Sequence, residues 1–220
     1  MKKLDFTEID KPRGHYLDEV AGNPRYLFTT NPAFVDYLDA LAAFVDGASF
    51  SGNSLEIFDQ TRKSWILFKE NVENIFYLNP IRIEEKIYFA SLDFSKQILE
   101  IKVFNPDSLE EDSCFKSPFT PRAAADFALM GPDLCLYSRN QKGQVYIYYP
   151  FEGNFFLEED ASLSYFDGQY FYGHRWHEEE DGDDNYDFYE SLQIRDKEGQ
   201  VQFEKQGCLY QLLDGDFVLI

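Results

Sequence analysis

One short phrase is written four times along the chain, each time between two runs rich in β-forming residues. Asn140-Gln141-Lys142-Gly143-Gln144-Val145 recurs as Asp196-Lys197-Glu198-Gly199-Gln200-Val201. Looser copies are Asp93-Phe94-Ser95-Lys96-Gln97-Ile98 and Asp59-Gln60-Thr61-Arg62-Lys63-Ser64. Asp or Asn opening a turn accepts a hydrogen bond from the backbone two residues on, and Gly in the fourth place tolerates the positive φ of a type I turn plus bulge. Lys96 and Arg62 stand where that Gly is expected, and a residue with a Cβ is strained there. Both Gly copies follow an arginine, Arg139 and Arg195. Such turns also arise singly in any all-β chain, but four with matching flanks point to one hairpin unit used several times. This constrains architecture and leaves activity open.

A second turn series runs out of phase with the first, at Ser51-Gly52-Asn53, Glu84-Glu85-Lys86, Gly131-Pro132-Asp133, Asp167-Gly168-Gln169 and Asp214-Gly215-Asp216. Apolar strands follow at 54–58, 87–92, 134–137, 170–172 and 217–220. The unit is therefore strand, short turn, strand, second turn, strand, and both series advance by 33 to 56 residues. In Val145-Tyr146-Ile147-Tyr148-Tyr149 and Trp65-Ile66-Leu67-Phe68 both faces are apolar, whereas Val201-Gln202-Phe203-Glu204 alternates as a sheet wet on one face would. Double-faced burial in antiparallel hairpins implies sheets stacked on sheets. This arrangement resembles a β-propeller, whose four-stranded blades span roughly 40–50 residues. The resemblance is to a fold: no Gly-His…Trp-Asp signature, no Kelch-type paired glycines and no complete Asp-box is present.

The sequence thus predicts a mainly β single domain over residues 1–220, a small propeller-like stack of about five antiparallel units, with a β-sandwich as the alternative. The fifth unit ends at Ile220 after two strands, and Arg25 to Thr30 is the expected strand that closes it, since an open last sheet exposes edge donors and acceptors. Residues 1–47 supply that strand and one helix at 32–46; residues 48–220 supply the hairpins. Asn31 is the expected cap and Pro32 suits the first helical position. Phe34, Tyr37, Leu38, Leu41, Phe44 and Val45 form one face, Asp36 favours the first turn, and Gly47 supplies a left-handed stop. That face is expected to pack on the chain's own sheets. Leu4 to Ile9 reads as a further strand. Thr120-Pro121 and Gly131-Pro132 bracket a short helix that blends into a strand at Phe127 to Met130.

Composition narrows the function classes. The net charge of −20 disfavours nucleic acid and anionic membrane and favours a basic protein surface. Cys114, Cys135 and Cys208 have no paired or zinc-like spacing and read as free, buried thiols of a reducing compartment. Asp5, Glu8 and Asp10 interrupt what would be a signal peptide's apolar stretch, and no apolar run reaches membrane-spanning length, so a cytoplasmic location is expected.

The one concentrated polar constellation runs from His174 to Asp187 and is expected to be a long loop of the fourth unit. Between Glu152 and Glu190 thirteen acids face a single base, Arg175. A local anionic field steers a basic partner, which makes Glu178, Glu179, Glu180, Asp181, Asp183, Asp184 and Asp187 the candidate partner-binding residues. A solvated loop that merely resists aggregation is the competing reading. His174, His177 and Glu178 are weak metal candidates, because residues three apart on a strand point to opposite faces. Asp181, Asp183 and Asn185 copy the first ligand positions of a calcium loop, but Tyr186 replaces its Gly and Leu192 its bidentate Glu. That leaves no cofactor beyond weak divalent-cation binding. No phosphate loop, nucleophile elbow or Cys–His pair suggests catalysis, and His15 reads as a surface residue. Tyr146, Tyr148, Tyr149, Tyr165, Phe166, Tyr170, Phe171 and Tyr172 read as core aromatics rather than a ligand site. The expectation is a non-catalytic acidic interaction module, such as an inhibitor or immunity-type protein. A hydrolase or metal-dependent enzyme around His174 and His177, and a subunit of a larger assembly, are the alternatives.

Overall fold

The computed structural model describes residues 16–30, 36–121, 126–180, 186–212 and 216–220, and of residues 179, 180, 186 and 187 the backbone alone. The chain lays down antiparallel sheets one after another. The first holds β1 (Asp18–Glu19), β2 (Tyr26–Thr29), β3 (Leu55–Asp59) and β4 (Ser64–Lys69), with helix α1 (Tyr37–Val45) between β2 and β3. The second holds β5 (Ile75–Tyr77), β6 (Ile81–Ile83), β7 (Lys86–Asp93), β8 (Ile98–Asn105) and β9 (Glu110–Pro118), with β5 and β6 both pairing β7. The third is β10 (Asp126–Met130), β11 (Cys135–Arg139), β12 (Gln144–Tyr149) and β13 (Gly153–Phe156). The fourth is β14 (Ala161–Phe166), β15 (Phe171–Glu180), β16 (Tyr186–Arg195) and β17 (Val201–Gln206). A two-stranded ribbon, β18 (Leu209–Gln211) with β19 (Phe217–Leu219), ends the series. This is a mainly β, propeller-like succession of meanders, with no closed sheet among the described residues.

The strand expected to close the last unit, Arg25 to Thr30, does not do so. β2 is flanked on both edges, by β1 and β3 of the first sheet, so it has no free edge to offer the ribbon. Its register, Tyr26 opposite Asp59 through Thr29 opposite Glu56, is held by Arg25, whose guanidinium grips the fully buried Asp59 carboxylate at 2.7 and 3.0 Å.

The recurring turns divide into two geometries. In each, the opening Asp or Asn side chain accepts backbone N–H groups: Asn140 from Lys142 and Gln144, Asp196 from Glu198 and Gln200, Asp59 from Thr61 and Arg62, Asp93 from Lys96. Gly143 and Gly199 take φ of +83° and +80° in the fourth place. In the looser copies the left-handed residue is Gln97 (+54°) or Lys63 (+52°), one place later than the expected strained positions Lys96 and Arg62. The reason is length: Asp93 pairs with Ile98 and Asp59 with Ser64, whereas the Asn140 and Asp196 N–H groups donate to the Gln144 and Gln200 carbonyls, one residue nearer. The extra residue moves the bend. Asn105-Pro106-Asp107-Ser108-Leu109-Glu110 adopts the longer form too, with Leu109 at +62°.

Three apolar cores lie between successive sheets. Leu55 and Ile57 of β3 meet Ile87 and Phe89 of β7. The opposite side of β7, Ala90 and Leu92, joins Leu99 and Ile101 of β8 to Phe127 and Leu136 of the third sheet. Cys135, Val145 and Ile147 of the third sheet then meet Phe166 and Phe171 of the fourth. Large side chains buried this fully are worth roughly 1.5–3 kcal/mol each. The two-faced pattern expected at 145–149 follows from this stacking. At 65–68 it does not hold: β4 lies at the sheet's edge and Phe68 is exposed. β17 is exposed on both faces rather than one.

Helix α1 is shorter than the expected 32–46. Asp36 caps it, accepting the Asp39 N–H at 2.9 Å, while Asn31, Pro32 and Phe34 lie outside the described residues. Gly47 at φ +73° ends it as expected. Tyr37, Ala40, Leu41 and Phe44 pack on the core between the second and third sheets, and Leu38 and Val45 turn to solvent. Ala40 is fully buried because a methyl group lets the helix approach the sheet closely, which rotates the face away from Leu38. The strand at 126–130 forms; the helix expected before it, the strand at 4–9 and His15 lie outside the described residues. No helix among the described residues is long and apolar enough to cross a membrane.

Candidate functional site

The acidic constellation is a hairpin rather than a long loop. β15 runs unbroken through Glu180, and β16 resumes at Tyr186 in a register that pairs Glu180 with Tyr186 and Phe171 with Arg195. Alternation places Trp176 and Glu178 on one face with their cross-strand neighbours Glu190 and Phe188. Trp176 and Phe188 stack at 5.7 Å, and they remain 47% and 50% exposed. Glu178 is exposed beside them. Arg175, the one base of the stretch, is spent on Asp160 at 2.9 Å. Glu179, Glu180 and Asp187 lie on the strands by backbone position; Asp181, Asp183 and Asp184 lie outside the described residues.

The hairpin keeps its histidines apart. His177 faces Ser191 on β16 and Glu204 on β17. The Ser191 hydroxyl donates to Glu204 at 2.6 Å, so His177 Nε2 donates to Ser191 at 2.7 Å, and the imidazole stacks on Tyr189 at 4.5 Å. A serine already donating to a carboxylate and buried to 2% exposure is a structural link across three strands, not an activated nucleophile. The Ser191 hydroxyl is the largest influence holding the Glu204 carboxyl below its usual range. On the other face His174 Nε2 accepts the Leu209 N–H at 2.9 Å, and Cys208 Sγ donates to Glu190 at 2.7 Å; these contacts seat the C-terminal ribbon on the fourth sheet. His174, His177 and Glu178 therefore do not converge, and among the described residues no three His, Cys, Asp or Glu groups could hold a metal ion. Of the calcium-like pattern, Asp181, Asp183 and Asn185 lie outside the described residues. Its last positions, 186–192, are strand, and Leu192 is buried opposite His174.

The thiols differ from expectation as well. Cys135 is buried, with burial pushing its pKa up to about 12, but Cys114 is exposed and Cys208 half-buried. Of the aromatics, Phe166 and Phe171 are core, whereas Tyr165, Tyr170 and Tyr172 are half-exposed.

Sequence reasoning missed the concavities between sheets, which draw on segments far apart in the chain. A cavity of about 550 Å³ gathers Gly22, Arg82, Met130, Ser164 and Gln211 from all four sheets and the ribbon. Isolated parallel bridges, Ala21 to Ile81 and Pro132 to Phe166, join neighbouring sheets along its wall. Gly22 is required there: at φ +89°, a Cβ would sit 2.4 Å from the Arg82 carbonyl oxygen. A second cleft of about 310 Å³ lies between the ribbon and the fourth sheet, lined by Pro132, Tyr165, Asp167, Tyr172, Leu209 and Phe217.

No known protein family matches the sequence, and no curated protein is similar to it. Among solved structures, the chain is similar to the β-propeller domain of the trilobed protease from Pyrococcus furiosus, with 14% identity and a TM-score of 0.44. That likeness covers 90% of this chain and 60% of the protease-domain chain. It is also similar to Kluyveromyces lactis Hsv2, with 9% identity, 92% and 69% coverage and a TM-score of 0.38. Neither likeness bears on what this chain does.

Proposed function

We propose that this chain is a single-domain, non-catalytic interaction module that binds a basic protein through the outer end of the β15–β16 hairpin. The observation that carries the reading is the stacked, half-exposed Trp176–Phe188 pair beside the exposed Glu178. An acidic field alone requires no aromatic surface. Two large rings held at a solvent-facing strand end lose apolar burial unless something covers them, and Lys or Arg stems cover rings while their heads meet carboxylates. An inhibitor or immunity-type role is one form of this reading. The successive sheets are read as copies of one hairpin unit. Free thiols favour a cytoplasmic setting.

Affinity purification at low and high salt tests the proposal. The retained partner is basic and is released by salt, and Trp176→Ala weakens it about tenfold, the loss expected for one aromatic anchor. A partner whose binding ignores both salt and Trp176 defeats the reading. The enzyme alternative gains nothing from His174 and His177, which are both committed to structural hydrogen bonds.

A further inference from the structure

We propose that the cleft between the C-terminal ribbon and the fourth sheet is a binding site for an organic cation, an ammonium group carrying methyl substituents. The site lies on the same face of β15 as Trp176 but at the other end of the strand, and its argument does not rest on the hairpin end. Its walls are aromatic. Tyr165 and Tyr172 are cross-strand neighbours on β14 and β15, and Phe217 of β19 stands against Tyr165 with ring centroids 4.8 Å apart and planes at 79°. Two rings at that angle form a corner, and Tyr172 adds a third ring to the lining. Aromatic faces attract cations, most effectively those that shed water easily.

A carboxylate completes the wall. Asp167 Oδ1 accepts the N–H groups of Gln169 and Tyr170 at 2.9 and 2.7 Å, and its Oδ2 accepts the Tyr172 hydroxyl at 2.6 Å. Burial acts to raise the Asp167 pKa, but the Tyr172 hydroxyl and the two backbone donors outweigh it, so the group stays ionised. Burial and the Asp167 carboxylate push Tyr172 up to about 12, so the phenol remains a neutral donor. Among the described residues no Lys, Arg or His lines the cleft to compete with a cation.

The same inventory selects among cations. A bare metal ion needs several oxygen ligands, and the cleft offers one carboxylate whose lone pairs are largely taken. A primary ammonium brings three donors that must be satisfied. A methylated ammonium asks for aromatic surface and one nearby negative charge, which is what the six lining residues present. The volume of about 310 Å³ suits a small head group.

The test is NMR titration of the wild-type protein with tetramethylammonium chloride at constant ionic strength, beside its neutral isostere 3,3-dimethyl-1-butanol. Saturable shifts at the rings of Tyr165, Tyr172 and Phe217 are expected, with the isostere about tenfold weaker. Asp167→Asn and Phe217→Leu should each weaken tetramethylammonium by about five- to tenfold. Choline and a trimethyl-lysine peptide then separate the sources. A tighter peptide assigns the cleft to a protein side chain, and equal or tighter choline assigns it to a free metabolite. Equal binding of the isostere, shifts confined to other residues, or no saturable binding of tetramethylammonium overturns the proposal. All three results come from the unmutated protein, so a variant that fails to fold cannot rescue it.

Discussion

Arg195→Met removes a buried cation while keeping its stem, and its cost can be worked from the structure. Arg195 is 3% exposed, and its Nη1 donates to the Gly199 carbonyl at 3.0 Å, holding the Asp196 turn closed. Its Nη2 reaches Gln193 and the Glu158 carboxylate, tying the turn to the segment between the third and fourth sheets. Bonds from a charged donor contribute about 1.5–3 kcal/mol each, while the side chain of Glu158 is 38% exposed and its pairing is discounted to about 1 kcal/mol or less. Relief of the guanidinium's own desolvation offsets part of the loss. The expected net destabilisation is about 2–3 kcal/mol, read as a lower urea midpoint at unchanged slope, or as a fall of about 5–10 °C in Tm for a chain of this size. Glu158→Gln alone should cost about 1 kcal/mol or less. A loss under about 0.5 kcal/mol for Arg195→Met refutes the clamp, and a full loss from Glu158→Gln assigns the stability to the ion pair instead.

Three further predictions use the same protein. Gly199→Ala places a Cβ 2.5 Å from the Phe155 ring at a φ of +80° and should cost about 2 kcal/mol or more, whereas Gln97→Gly should gain up to about 1 kcal/mol; urea melts that reverse these signs contradict the two turn geometries. Asp59, Asp93, Glu111, Asp167 and Glu204 all have folded pKa values below their usual range, so their contribution is complete above the unfolded carboxylate pKa of about 4 and disappears as pH falls through the folded values. Asp126, whose pKa burial raises, acts in the opposite sense but as one group against five, so stability should fall below about pH 4 in urea titrations, and a rise there would be inconsistent. In thiol titration at neutral pH, the exposed Cys114 should react in the native state, Cys208 more slowly because its bond to Glu190 holds the thiol protonated, and Cys135 only on unfolding.

What the sequence revealed was local. An Asp or Asn at the head of a turn carries its hydrogen-bond chemistry with it, so Asn140 and Asp196 announce their hairpins, and Gly143 and Gly199 announce the bend. The shift from Lys96 to Gln97 escaped notice because one extra residue changes which position bends, and only strand register reveals the length. The two-faced burial at 145–149 is likewise legible in an unbroken apolar run, but the same kind of run at 65–68 lies on an edge strand. Partner choice among strands was not: Tyr26–Thr29 has the composition of a strand, and nothing in those four residues says that β1 and β3 will occupy its edges. Strand period separates His174 from His177 once the stretch is a strand instead of the expected loop, and their partners, Leu209 and Ser191, come from other strands. The cleft of Tyr165, Tyr172 and Phe217 is legible only once the ribbon is placed, since Phe217 is far in sequence from the two tyrosines.

Whether the hairpin end is a docking face can be measured from Trp176, because the chain has one other tryptophan, Trp65. In Trp65→Phe protein, fluorescence of Trp176 should shift to shorter wavelength as the salt-sensitive basic partner is added, and Trp176→Ala, which leaves the net charge unchanged, should weaken that partner about tenfold. Saturated binding with an unmoved Trp176 spectrum and undiminished affinity in the alanine variant contradicts the account.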